Sequence, residues 1–192
     1  MGRFCTVNTQ LAIDTSTSRT SVALIAGGAV IYSEFEDGAT AHAEAVPRLV
    51  QRALAIENNI SQVIVGMGPG PYTGLRAGIS FAQAFAWARK IELRGVCSLD
   101  AIVCAAPEYV AATDARRKEI YWASYKDGKR VDGPHVNLPT EVSGKVFVGE
   151  GAHKYGLSDV ATYPDLSHFA QLPAVDQPMY LRRPDAVPTS ER

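Results

Sequence analysis

The sequence predicts a duplicated α/β fold of two lobes with mixed sheets, the second lobe short. Three observations predict it. Apolar runs at Gln10–Asp14, Thr20–Ile25 and Val30–Phe35 are joined by a polar run and by Gly27-Gly28, the pattern of an antiparallel meander. The apolar period then changes to helix, strand, helix, strand, which adds a parallel βαβ half. A second meander begins near Val110, with Asp114, Ala123 and Asp127-Gly128 each one hundred positions after Asp14, Ala23 and Gly27-Gly28.

The elements follow in order. Ala43, Val46, Leu49, Val50, Ala53 and Leu54 recur at helical spacing, with Pro47 early enough to be tolerated. Val63-Ile64-Val65 is a buried-type strand, and a helix runs from about Leu75 to Lys90. Leu93–Ser98 returns as a strand, and Leu99–Ala106 reads as a short helix capped by Ser98. In the second copy Glu119–Lys126 alternates, with Ile120, Trp122 and Ser124 on one face and Tyr121, Ala123 and Tyr125 on the other. Lys145–Gly149 is a further strand, and helical periodicity between Ala152 and Ala174 is weak. A duplicated strand–Asp–turn–strand unit is the pattern of the RNase H-like, actin/hexokinase/Hsp70-type (ASKHA) fold. The expected organisation is an N-terminal extension over 1–9, a first lobe over 10–108, a shortened second lobe over 109–183 and a tail over 184–192.

Composition excludes several classes. The 192 residues carry nineteen basic and twenty acidic side chains, a formal charge of −1, and no basic tail or Lys/Arg run stands out. Any nucleic acid is therefore expected to be held mainly by a partner. Cys5, Cys97 and Cys104 lack framework spacing and read as reduced thiols of a cytoplasmic protein. No apolar run has the length of a membrane span, and no signal-peptide core precedes the first strand. Met1–Thr6 fits the loose myristoylation pattern, which needs a eukaryotic transferase.

Two segments are candidates for chemistry. Gly66–Gly74 lies between a strand and a helix, where phosphate loops sit. Thr73 occupies the third glycine position of a dinucleotide fingerprint, Leu75-Arg76 replaces the Lys-Ser/Thr of a P-loop, and Pro69 and Pro71 remove two N–H donors. The loop therefore reads as a rigid connection. Asp14 with Thr15 and Thr17, and Asp114, are the nucleotide-facing candidates; the alternative is that they hydrogen-bond their own turns. An active ATPase or phosphotransferase of this fold would use Asp14 and Asp114 around magnesium. His42 is followed one turn on by Val46, so no His pair for a metal forms on that helix. The helix from Leu75 is apolar or small in nearly every direction and needs cover on more than one side, from the first helix or from another chain.

Four segments carry a family resemblance: Leu11–Thr17, Gly68–Gly78, Asp114–Ala123 and Pro178–Arg182. In these the chain resembles the TsaB (YeaZ) family. The resemblance implies a noncatalytic scaffold that binds and activates TsaD, the threonylcarbamoyltransferase of tRNA threonylcarbamoyladenosine synthesis. It implies a four-helix contact with TsaD through the two first-lobe helices, recruitment of the ATPase TsaE, a homodimer through the same surface, and tRNA contact only through the complex. No cofactor is implied for this subunit itself, with ATP or ADP in the complex. By helical face, His42, Val46, Leu49, Val50, Ala53, Arg76, Ile79, Gln83 and Trp87 are the expected interface, and Val50→Glu is expected to weaken pairing without unfolding. The departures are about ten residues before the first strand, a short second lobe, and Pro71-Tyr72 where Ser-Phe is commoner.

Overall fold

The computed structural model describes residues 8–38 and 41–182. The myristoylation pattern, Cys5 and the 184–192 tail lie outside the described residues. The first sheet is built from β1 (Thr9–Asp14), β2 (Arg19–Ala26), β3 (Ala29–Asp37), β4 (Ile60–Gly66) and β5 (Glu92–Val96), in the order β3-β2-β1-β4-β5. The hairpin half is antiparallel, whereas β1, β4 and β5 are parallel. Two helices supply the crossovers, α1 (His42–Ile56) and α2 (Tyr72–Arg89). The second sheet repeats the meander as β6 (Glu108–Arg116), β7 (Glu119–Lys126) and β8 (Lys129–Asn137), with the two-residue β9 (Phe147–Val148) parallel to β6. This is the duplicated RNase H-like, ASKHA-type arrangement.

Alternation along the strands sorts the core into layers. Leu11, Ile13, Val22 and Leu24 meet Val46, Leu49, Val50 and Ala53 of α1 and Leu75, Ile79, Ala82 and Ala86 of α2. The opposite face of the first sheet, with Ala12, Ala23, Ile25 and Ile64, packs on Leu166 and Phe169. Tyr109, Ala111, Ala123 and Tyr125 of the second sheet pack on Cys97, Leu99 and Ile102. Val110, Ala112 and Ile120 face outward onto Val142 and Ala152, the latter in α3 (Glu150–Lys154).

Local chemistry explains the ends. Glu44 sits in the first turn of α1, where a carboxylate favours the helix dipole. Pro47 is exposed and the helix runs through it. Lys90 closes α2 in the left-handed region at φ 54°, its N–H reaching the Ala86 and Trp87 carbonyls.

Three sequence expectations are corrected. The helix expected over Leu99–Ala106 is a single 3₁₀ turn, Ser98–Ala101. The weak period after Ala152 resolves into α3 and a 3₁₀ segment, Leu166–Gln171. Residues 166–175, assigned by sequence to the second lobe, pack on the first. The Arg94 guanidinium donates to the Ala170 and Leu172 carbonyls, Val175 N donates to Gly95 O at 2.9 Å, and Ala174 bridges to Val96. This strap covers a sheet face that a second lobe of four strands and one short helix leaves open.

Candidate functional site: Asp14, the Gly68–Gly74 loop and the outer face of two helices

Asp14 ends β1 and is buried. Its Oδ1 accepts from the Ser16 amide at 3.0 Å and the Ser16 hydroxyl at 2.8 Å, and its Oδ2 accepts from the Ser98 hydroxyl at 2.6 Å. Burial pushes its pKa up, against these hydrogen bonds. Gly66 is required beside it, because a Cβ there would overlap Asp14 Oδ2 and Ser98 Oγ.

The Gly68–Gly74 loop lies directly on the segment that follows Asp14. A Cβ on Gly70 would overlap the Ser16 carbonyl, and the Thr15 hydroxyl donates to Gly74 O at 2.8 Å. Gly78 of α2 packs against the Thr15 side chain. Thr17 Oγ1 accepts from Arg19 N at 3.2 Å. Thr15, Ser16 and Thr17 are all buried. The place proposed for nucleotide phosphates is thus filled by the chain's own loop, and each Asp14 oxygen already accepts from a serine. An ATP or ADP phosphate does not fit against these residues.

Asp114 corrects the sequence alignment of the two copies. Ala12 pairs with Ala23 in the first sheet, but Ala111, not Ala112, pairs with Ala123 in the second. β7 therefore repeats β2 at one hundred residues and β6 repeats β1 at ninety-nine. The counterpart of Asp14 is Thr113, a buried residue whose hydroxyl has no hydrogen-bond partner. Asp114 points to the opposite face. There its carboxylate accepts from Lys154 Nζ at 2.6 Å and Tyr155 OH at 3.1 Å, while its own amide donates to Glu150 at 2.9 Å. Asp14 and Asp114 do not converge on one metal. Among the described residues no group of three or more His, Cys, Asp or Glu comes together as a metal site.

The expected interface is also redrawn. Val46, Leu49, Val50, Ala53 and Ile79 lie in the core, with Val50 only 2% exposed. Their apolar stripe meets this chain's own β1 and β2, so it is unavailable to another protein. His42 is buried as well, with Nδ1 2.7 Å from Thr20 Oγ1 and its ring against Gly74. Burial, and secondarily the charge of Arg116, depress its pKa.

Arg76, Gln83 and Trp87 are the expected residues that face outward. Trp87 is 84% exposed. Around it stand Ser80, Gln83, Ala84 and Ala88 of α2, with Ala43, Pro47 and Gln51 exposed on α1. At the near end of the two helices a depression of about 580 Å³ is lined by His42, Ala43, Tyr72, Thr73, Arg76, Ala77 and Ser80. Ser98, expected as a helix cap, instead donates to Asp14, Gly66 of the expected rigid loop leaves room for that contact, and the ring of Tyr180 lies 5.0 Å from that of Tyr72, roles that the sequence did not assign. Ser98 is too distant in sequence for any local pattern to link it with Asp14.

Comparison with known proteins gives these features a setting. Residues 34–154 match a family model described as "TsaD: tRNA N6-adenosine threonylcarbamoyltransferase". An uncharacterized protein of Mycobacterium tuberculosis (strain ATCC 25618 / H37Rv) is 38% identical over 95% of this chain and 95% of its own length. The "tRNA threonylcarbamoyladenosine biosynthesis protein TsaB" of Escherichia coli (strain K12) is 36% identical over 60% of this chain. The match spans 54% of that relative, so the chain aligns with about half of it. The solved structure of YeaZ from Pseudomonas aeruginosa superposes with a TM-score of 0.72 at 26% identity, covering 86% of this chain and 90% of that one. With the motifs at Leu11–Thr17 and Gly68–Gly78 in place on this fold, the chain belongs to the TsaB (YeaZ) family.

Proposed function

We propose that this protein is a noncatalytic partner subunit in tRNA threonylcarbamoyladenosine synthesis, binding a TsaD-type threonylcarbamoyltransferase through the outer face of α1 and α2. The observation that carries the reading is Trp87, 84% exposed on the outer face of a well-packed helix. Large aromatic side chains with small neighbours are typical interface anchors. The small residues around it allow a second helix pair to approach closely, and the depression beside His42 offers a socket for a partner side chain.

The name TsaB, borne by relatives, supports the pathway. The noncatalytic part of the reading rests on Asp14, satisfied by Ser16 and Ser98, and on Asp114, which faces away from it. The same outer face serves self-association when the partner is absent, and TsaE joins the assembled pair rather than the lone chain. No nucleotide is assigned to this subunit.

Light scattering on size-exclusion fractions tests the proposal. A mixture with TsaD from the same organism is expected to give a one-to-one heterodimer that displaces any homodimer. Separate elution at all ratios, with TsaE and nucleotide added, overturns it.

A further inference from the structure

The turn between β6 and β7 breaks a rule that the chain keeps elsewhere. Among the described residues, three two-residue hairpin turns have positive φ at both central residues. Gly27-Gly28 forms one (φ 59° and 83°) and Asp127-Gly128 another (49° and 72°), both residue pairs suited to that geometry. The third is Arg117-Lys118 (50° and 66°), preceded by Arg116 at 65°. Three successive long cationic side chains thus occupy the left-handed region, where L residues are disfavoured. A glycine-containing turn would close the same hairpin with less strain. Strain retained at an exposed tip points to a use for the side chains.

The surroundings of the tip point to the same use. Arg116 and Lys154 both pair with the carboxylate of Asp114, at 3.7 and 2.6 Å, and Glu150 lies beside them. Arg182 reaches the base of the hairpin, donating to Ala115 O at 2.8 Å and pairing with Glu119. Two residues before Arg182, Tyr180 tilts against Tyr72, and Arg76 stands 5.3 Å over the Tyr72 ring. Tyr72 and Tyr180 are half-exposed. The result is a basic tip joined to a pair of accessible aromatic rings. The composition shows no basic tail, but Arg116-Arg117-Lys118, a short run not singled out from the sequence, places three cations together within a chain of formal charge −1.

We propose that the Arg116–Lys118 tip, with Arg76, Arg182 and the Tyr72–Tyr180 pair, is a docking platform for an RNA phosphate backbone. The cations meet phosphates and the exposed rings accept an unstacked base. The platform borders the α1–α2 face through Tyr72 and Arg76, so RNA held by a partner on that face would continue onto this chain. Only the choice of tRNA as probe rests on the function proposed above.

The test is fluorescence anisotropy of a labelled tRNA transcript titrated with the full chain alone. It compares the wild type, the double substitution Arg117→Asn with Lys118→Gly, and Tyr180→Ala. The double substitution supplies the residues that the turn prefers, so its thermal midpoint is expected to hold or rise. It is expected to weaken RNA binding about tenfold near 0.1 M salt and to flatten the salt dependence by about 1.5 units of log–log slope, for two lost phosphate contacts. Tyr180→Ala is expected to weaken binding without changing that slope. Absence of RNA binding by the wild type overturns the proposal, as does equal binding by the double variant, or binding of free ADP without RNA. Failure to pair with TsaD would leave this result untouched, since no partner is in the titration.

Discussion

Asp14 and Asp114 stand on opposite kinds of surface: Asp14 on the sheet face turned toward Ser98 and the strap, Asp114 on the face turned toward Lys154 of α3. A one-residue shift between β6 and β1 produces this, since a single step in a strand reverses the side-chain direction. An ATP-hydrolysing cleft of this fold needs both carboxylates on the facing sides.

Asp14 is consequently expected to act as a structural acid. Its folded pKa lies above its ordinary value of 3.8, so the native state holds the proton more tightly than the unfolded chain. Its contribution is most favourable below 3.8 and is lost as pH rises through the raised folded value. Asp14→Asn is expected to keep full stability at pH 7 and to flatten this part of the pH dependence, read by urea unfolding from pH 4 to 7. Loss of more than about 2 kcal/mol at pH 7, the scale of an unsatisfied buried polar group, would contradict the assignment.

His42 has the opposite sign. Its folded pKa is depressed below 6.5 by burial and by Arg116. The stability linked to it is present above 6.5 and is lost as pH falls through the depressed value. A proton NMR titration is expected to place the His42 midpoint below its ordinary value of 6.5. A midpoint at or above 6.5 would show that the His42 ring is not held against Gly74.

The strap is expected to be part of the first lobe's core. Phe169 is fully buried against Ala12, Ala23, Ile25 and Ile64. Phe169→Ala is expected to cost about 3–5 kcal/mol in denaturant unfolding. A cost under 1 kcal/mol would mean that residues 166–171 are a dispensable cover.

Two substitutions on the helix pair separate packing from surface. Val50→Glu places a charge among Leu11, Val22 and Leu24 and is expected to unfold the protein rather than merely weaken pairing. Trp87→Glu, on the open face, is expected to shift folding stability by no more than about 0.5 kcal/mol. Circular dichroism melts of the two variants distinguish these outcomes.

Much of the fold was legible in the sequence because period and turn chemistry are local. Gly27-Gly28 and Asp127-Gly128 close their hairpins as expected, and Ile120/Trp122 and Tyr121/Ala123 divide between the two faces of β7. Less of the site could be read. The stripe Val46, Leu49, Val50, Ala53 correctly marked a helix face, but hydropathy does not say whether that face meets the chain's own sheet or another protein. The outward face was obscure because Ala43, Ser80 and Ala84 are small and carry little hydropathic signal. Asp114 misled because an offset of one hundred residues that holds for β7 slips by one in β6, and only strand pairing shows that slip.

The most direct test of the central claim is isothermal titration calorimetry of TsaD with the wild-type chain and with Trp87→Glu, once the melts have shown that the variant is folded. Loss of at least about 2 kcal/mol of binding, roughly thirtyfold in Kd, is the predicted result for an anchor residue. Equal affinity of the two proteins for TsaD would place the contact elsewhere and contradict the assignment of the α1–α2 face.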